Sequence, residues 1–296
     1  MTAIIEANGL GKRYGRKWAL SDCTLAIPAG KVVGLVGPNG AGKTTLLQLA
    51  VGLLRPTTGL ITVLGRRPGT TPEQLSRVGF VAQDAPTYAG LSVREHLQFG
   101  AWMNPTWNMG LAEERIARLG LAPQRKAGEL SGGQRAQLAL TLAVAKRPEL
   151  LVLDEPFASL DPLARREFLQ GLMEIVVEHG ASVVLSSHLV ADLERVCDYL
   201  VVLVDSRVQV AGDIDDLLAT HFRLTGPRRG PNALPSDQQA IAESHTDRQS
   251  TLIVRTEHPV LGPTWSVEQL DLEDLVLAYM ARAVQAERRT RLEVRA

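Results

Sequence analysis

The sequence predicts an α/β protein: a central, mostly parallel sheet, a β-rich N-terminal part, an inserted helical block and a small C-terminal α+β appendage. Three observations lead there. Short apolar runs alternate with helical spacing, as a parallel sheet covered by helices requires. One of these runs, Val32-Val33-Gly34-Leu35-Val36, enters a glycine-rich stretch that leaves into helix-like spacing. Strand signals then lapse between Ser92 and about Lys146, where apolar residues recur at helical intervals, and resume at Leu150.

From Ile4 to Ile27, apolar stretches alternate with turns, which is the β-rich part. Thr45 to Val51 gives the first turns of a helix, and the segments 59–65 and 78–83 give further strands. Helical spacing covers Arg94–Phe99, Leu111–Leu119 and Ala136–Ala145. Leu150–Leu153, Ser182–Ser186 and Tyr199–Val204 are buried-strand candidates, with 163–179 as the crossover helix between the first two. Residues 1–224 form the expected main domain, with its helical block at about 84–147. The stretch 225–240, rich in proline, glycine and polar residues, is the expected linker. In the appendage, 241–296, Thr251–Arg255 predicts a strand. Leu272, Leu275, Val276, Tyr279, Met280 and Ala283 put an apolar stripe on one helix face. Arg288-Arg289-Thr290-Arg291 is expected as a solvated tail.

The glycine-rich stretch is Gly37-Pro38-Asn39-Gly40-Ala41-Gly42-Lys43-Thr44-Thr45, the pattern G-x-x-x-x-G-K-[ST] between a strand and a helix. That setting aims consecutive backbone N–H groups, and the positive end of the helix, at one point where phosphates are held. The glycines admit backbone conformations that a side chain blocks. Lys43 brings a mobile charge to the outer phosphates of a nucleoside triphosphate, and the Thr44 hydroxyl can ligate Mg²⁺. Downstream, the strand Leu150–Leu153 ends in Asp154 and Glu155. Asp154 is placed to organise Mg²⁺ through its water shell, and Glu155 to orient and deprotonate a water in line with the γ-phosphate. Leu130-Ser131-Gly132-Gly133-Gln134 opens an apolar helix, so its serine cap and glycines expose N–H groups at a second helix N-terminus.

Composition narrows the function. With 32 Lys and Arg against 32 Asp and Glu, the chain lacks the basic surplus of a dedicated nucleic-acid binder. Its 2 cysteines, Cys23 and Cys197, have no metal-ligand spacing and are expected as free thiols. No apolar run approaches the roughly 18 to 20 residues of a membrane helix, and no secretory signal is expected at the N-terminus.

With LSGGQ at 130–134 between the phosphate loop and Asp154-Glu155, the chain resembles the ATP-binding subunits of ABC transporters over about Ile4 to Leu218. That resemblance implies a phosphate-loop NTPase fold with an antiparallel N-terminal β subdomain. It makes Gln83 the Q-loop glutamine that joins Thr44 and Asp154 around Mg²⁺, and Ser159-Leu160-Asp161 the loop at a dimer seam. His188, after Ser186-Ser187, becomes the switch histidine at the γ-phosphate. It makes Tyr14 the aromatic that stacks on adenine, with Trp18 as the neighbouring candidate. It further implies a head-to-tail dimer in which Ser131, Gly132, Gly133 and Gln134 close on the ATP of the second subunit. A separate membrane permease would dock on the helical block, where Trp102 and Trp107 are packing or permease-contact residues, and would hold the chain at the inner face of the cell membrane. The run Leu270–Tyr279 is similar to the C-terminal helix of bacterial export ATPases for drugs, antibiotics and lipids. The competing reading is a soluble ABC-type ATPase acting on ribosomes or DNA. Members of that kind carry two cassettes or long coiled coils, and this chain has one phosphate loop and one signature. A scaffold that binds ATP without hydrolysing it would not need both Glu155 and His188.

Overall fold

The computed structural model describes residues 2–158, 160–228, 234–235, 238–257 and 265–293, with the backbone alone from 284 onward. Ser159, residues 229–233 and 236–237 of the expected linker and the side chains of Arg288-Arg289-Thr290-Arg291 lie outside the described residues.

β1 (Ala3–Tyr14) and β2 (Lys17–Pro28) form an antiparallel hairpin, which β4 (Thr58–Val63) extends on the β1 side. Between them come β3 (Val32–Val36), buried at every position, and α1 (Lys43–Ala50). α2 (Pro72–Ser76) and β5 (Val78–Val81) lead into the helical block. This holds α3 (Val93–Met103), α4 (Met109–Arg118), a 3-10 turn at Ala127–Glu129 and α5 (Gly132–Val144). β6 (Leu150–Leu153), α6 (Pro162–His179), β7 (Ser182–Ser187), α7 (Val190–Leu193) and β8 (Tyr199–Val204) follow. β9 (Arg207–Asp213) turns back beside β8.

The central sheet has six strands in the order β5-β6-β7-β3-β8-β9, parallel except at β9. Its inner strands are largely apolar runs because both faces are covered, one by α5, α6 and α7 and the other by α1 and the antiparallel hairpin. Gly34 lies at one of the close contacts: a Cβ there would sit 3.1 Å from Leu193 Cδ1 and 3.2 Å from Cys197 Sγ. The order has a functional consequence. β6, β7 and β3 are neighbours, so the loops after them open side by side at the carboxyl end of the sheet, where α/β folds place ligands. Those loops carry Asp154 and Glu155, His188, and the stretch from Gly37.

The helical block has its own small core, formed by Val93, Leu97, Ala112, Ile116, Leu121 and Leu138 among others. Within it Trp107 packs on Gly100, where a Cβ would come within 2.3 Å of the indole. Trp107 is therefore a packing residue, whereas Trp102 is 81% exposed.

The C-terminal part departs most from expectation. After α8 (Ile214–Thr220), the strand β10 (His221–Pro227) runs through the expected domain boundary and into the expected linker. It pairs with β12 (Gln249–Arg255) and β13 (Ser266–Gln269), and β11 (Gln239–His245) completes a four-stranded antiparallel sheet in the order β11-β12-β10-β13. Thr225, Gly226 and Pro227 are thus strand residues, because β12 offers backbone partners down to Gln249. α9 (Leu272–Glu293) presents the expected stripe. Leu272, Leu275, Val276, Tyr279 and Ala283 join the largest hydrophobic core together with Leu193, Leu200 and Val202, and Met280 packs at its edge. The appendage shares the core of the main domain.

Candidate functional site

The phosphate-loop backbone is dictated by its surroundings. A Cβ on Gly37 would stand 2.0 Å from the Leu203 carbonyl oxygen, and one on Gly42, at φ 109°, would stand 2.3 Å from that of Ala19. Neither position tolerates a side chain. Gly42 is the N-cap of α1 and brings no capping side chain, and the first turn of α1 holds no acid. By contrast, Thr71, Ser92, Asn108, Ser131, Asp161 and Asp213 cap α2, α3, α4, α5, α6 and α8 with their side chains. The N–H groups at the start of α1 are left for an anion.

A cavity of about 520 Å³ opens over this loop, lined by Tyr14, Pro38, Asn39, Gly40, Gly42, Lys43, Thr44, Thr45, Gln83, Glu155 and His188. Lys17, Ala19 and Ala158 complete its wall. Residues far apart in sequence converge here because their strands are neighbours. Lys43 Nζ donates to the Gly37 carbonyl at 2.7 Å and pairs with Glu155 Oε1 at 3.1 Å. Both side chains are at least nine-tenths buried, at 6% and 9% exposure. His188 Nδ1–H donates to the other carboxylate oxygen, Oε2, at 2.7 Å. Glu155 is thus held from two sides, with a left-handed backbone at φ 47°. Such a conformation costs a residue with a side chain about 1–2 kcal/mol, and it turns the carboxylate towards Lys43 and His188.

Asp154 points elsewhere. Its carboxylate is 1% exposed and accepts Thr44 Oγ1–H at 3.2 Å and Ser186 Oγ–H at 2.8 Å. Ser186 Oγ also accepts the Glu155 N–H at 2.8 Å. One hydroxyl therefore sets the orientation of both acids. Ser186 was not among the residues expected from the sequence. Its signal there is only a small hydroxyl residue near the end of an apolar strand.

The oxygen donors suit Mg²⁺. No group of three or more His, Cys, Asp or Glu side chains able to cage a metal occurs among the described residues. Beside the Thr44 hydroxyl, with Asp154 behind it and Gln83 across the cavity, a cation would complete its shell with water and phosphate oxygens. That is the habit of Mg²⁺ rather than of a metal needing an all-protein cage. When bound, it would supply charge neutralisation between the outer phosphates.

Of the expected aromatics, Tyr14 lines the cavity and is 50% exposed, whereas Trp18 lies under the Arg13 guanidinium, 5.4 Å from it. The structure brings Tyr14, Gln83, Glu155 and His188 to the loop and leaves two expected elements away from it. Ser131, Gly132, Gly133 and Gln134 do not line the cavity. They form the start of α5, where Ser131 and Gln134 exchange the bonds of a capping box. Asp161 accepts the Leu163 and Ala164 N–H groups, both at 3.0 Å, and so caps α6. The two helix starts adjoin: a Cβ on Gly133 would lie 2.9 Å from that of Ala164.

Comparison with known proteins gives a consistent picture. A family model described as ABC transporter matches residues 20–158. The chain is 35% identical over 226 residues to the Nod factor export ATP-binding protein I of Cupriavidus pinatubonensis, covering 74% of this chain and 69% of that protein. It is also 35% identical over 228 residues to the molybdenum import ATP-binding protein ModC of Aromatoleum aromaticum, covering 73% of this chain and 60% of that one. A solved structure described as the ATP-binding subunit of an ABC transporter aligns with a TM-score of 0.65 at 30% identity, over 72% of this chain and 91% of the other. With the phosphate loop, Glu155 and His188 around one cavity and Asp154 bonded to Thr44 behind it, the chain belongs to the ATP-binding subunits of ABC transporters, which are ATP hydrolases.

Proposed function

We propose that the chain hydrolyses Mg-ATP at composite sites shared by two head-to-tail subunits, and that closing and opening of this dimer drives a separate membrane permease. One observation carries this reading. Tyr14, Lys43, Thr44, Gln83, Glu155 and His188 line one cavity, while the Ser131–Gln134 helix start, also suited to an anion, lies outside it. A second subunit supplies what a single cavity lacks. The triphosphate takes Lys43 and the uncapped start of α1, and Tyr14 offers its ring to the adenine. Lys43 then leaves Glu155 for the phosphates, and the freed carboxylate accepts a proton from the attacking water. His188, hydrogen-bonded to Glu155, reaches the γ-phosphate. The dimer pairs two copies of this chain, and Asp161 stands at the seam.

No helix among the described residues is long and apolar enough to cross a membrane. The permease therefore holds the subunit at the inner face of the membrane, received by the helical block with its exposed Trp102. The outward direction and a drug, antibiotic or lipid cargo rest on the Leu270–Tyr279 run, and the relatives named above include an exporter and an importer.

The test uses Glu155→Gln, which keeps the shape of the side chain but cannot take a proton. With Mg-ATP the variant should form a dimer visible by light scattering, and with ADP it should not. Adding Ser131→Arg should abolish that dimer while leaving ATP binding in place. A dimer that persists with Ser131→Arg removes the composite site.

A further inference from the structure

The segment that follows Gln83 is tied to the segment that leads into Ser131. The Gly128 N–H donates to the Ala89 carbonyl at 3.0 Å, the Ala127 N–H to Leu91 at 2.9 Å, the Val93 N–H to Arg125 at 3.0 Å and the Arg94 N–H to Pro123 at 2.8 Å. Ser92 and Lys126 form an antiparallel bridge in the middle. Loops usually satisfy their backbone with water and move independently. These two run as a short ladder. Their approach is close at Gly128, where a Cβ would sit 3.1 Å from the Ala89 oxygen.

His96 fastens the end of this ladder nearest Gln83. It is 3% exposed, and both ring nitrogens are engaged. The Tyr88 N–H donates to Nε2 at 3.0 Å, so the proton resides on Nδ1, which donates to the Ser92 carbonyl at 2.8 Å. The ring also stacks with that of Tyr88, with centroids 6.2 Å apart. Ser92 is fixed in turn by Glu95, whose Oε2 accepts its N–H at 2.7 Å and its hydroxyl at 2.8 Å. One imidazole thus joins the loop after Gln83 to the first turn of α3 at the head of the ladder. His96 itself does not line the nucleotide cavity.

We propose that His96 is a positioning residue that couples the two nucleotide sites of the dimer. A displacement of Gln83 at one site is carried along 88–94 and 123–128 to Ser131–Gln134, which acts at the partner's site. This inference rests on the composite-site reading above. Without the Tyr88–His96 bond, the loop after Gln83 shifts without moving the ladder, and the two sites lose their connection. Loss of the ring leaves the fold standing. The Ser92 carbonyl keeps the His96 N–H as a helical partner, and the exposed Tyr88 can give its N–H to water.

The experiment compares His96→Leu, which fills the space with no polar group, with His96→Gln, whose amide offers one donor and one acceptor. ATP affinity, the Hill coefficient of hydrolysis and, in the Glu155→Gln background, the ATP concentration for half-dimerisation are measured on the full chain. His96→Leu should bind ATP with unchanged affinity, need about tenfold more ATP to dimerise, a normal size for coupling between sites, and hydrolyse with a lower Hill coefficient. His96→Gln should restore both. Gly128→Ala, which crowds the Ala89 carbonyl at this same end of the ladder but on the strand leading to Ser131, should reproduce the His96→Leu behaviour and serves if that variant does not fold. Wild-type dimerisation and Hill coefficient in His96→Leu and Gly128→Ala, or equal impairment in His96→Leu and His96→Gln, overturn the inference. Retained dimerisation in Ser131→Arg overturns the composite site and the inference with it. Loss there, with normal His96 and Gly128 variants, overturns the inference alone.

Discussion

Ser186 links the two acids of the site, one through its hydroxyl proton and one through its lone pair. Removing the hydroxyl leaves the Asp154 carboxylate and the Glu155 N–H each short of a partner inside the protein. A buried group left unpaired costs about 1–3 kcal/mol, so Ser186→Ala should lower stability by that order in urea titration. It should also raise the Mg²⁺ concentration needed for half-maximal hydrolysis, because Asp154 is then aimed by Thr44 alone. Ser187→Ala is the control. Its hydroxyl bonds only to the backbone of Leu189, and the variant should keep the normal Mg²⁺ dependence. For Glu155→Gln the expected loss is in turnover, by about 10² to 10⁴, the usual contribution of a positioned acid or base. The phosphates keep Lys43, Thr44 and the backbone amides, so ATP binding should survive. A Glu155→Gln protein hydrolysing at the normal rate would remove Glu155 as the base.

Among the elements, those that form the site were legible because each is specified over a short stretch of chain. Val32–Val36 is apolar throughout, Gly37 and Gly42 mark a loop that admits no side chain, and Ser131 with Gln134 spells out a capping box. Of the C-terminal strands Thr251–Arg255 was legible and became β12, whereas β10 and β13 were not, for a physical reason. β10 carries glycine and proline at its end, and β13 is exposed at every position, so neither shows the alternation of a half-buried strand. What makes them strands is pairing, of β10 with β12 and of β13 with β10, long-range contacts invisible to local pattern. His221 ties this sheet to α8 and α9, its Nδ1–H donating to the Leu217 carbonyl at 2.7 Å and its Nε2 accepting the Tyr279 hydroxyl at 2.9 Å. Burial pulls the His221 pKa below its ordinary 6.5. The unfolded chain therefore binds more protons here than the folded one. The stability that neutral His221 provides is present above about pH 6.5 and erodes as the pH falls below it. Urea midpoints measured from about pH 7.5 down to pH 5 should show that fall, and His221→Gln should flatten it. An unchanged slope in the variant would assign the acid sensitivity to other groups.

At the scale of the whole molecule, the question is whether the appendage is a separate unit. A linker followed by an independent domain predicts two unfolding events. The packing predicts one, because Leu272, Leu275, Val276 and Tyr279 lie in the same core as Leu193 of α7 and Leu200 and Val202 of β8. α7 follows directly on the loop of His188, so α9 also backs the element beside the catalytic residues. Leu275, fully buried, is the sharpest probe. Truncating a buried leucine to alanine costs about 2–5 kcal/mol, and Leu275→Ala should lower the stability of the ATPase core itself by that amount. Far-UV circular dichroism and ATP-binding fluorescence should lose their signals together in urea, at one lowered midpoint. If Leu275→Ala instead melted in two steps, with ATP binding surviving the first, α9 would be a dispensable attachment and the core would close without it. A single coincident transition makes α9 part of the enzyme's structural unit, although the aligned portion of the ABC relatives named above covers only 74% of this chain or less.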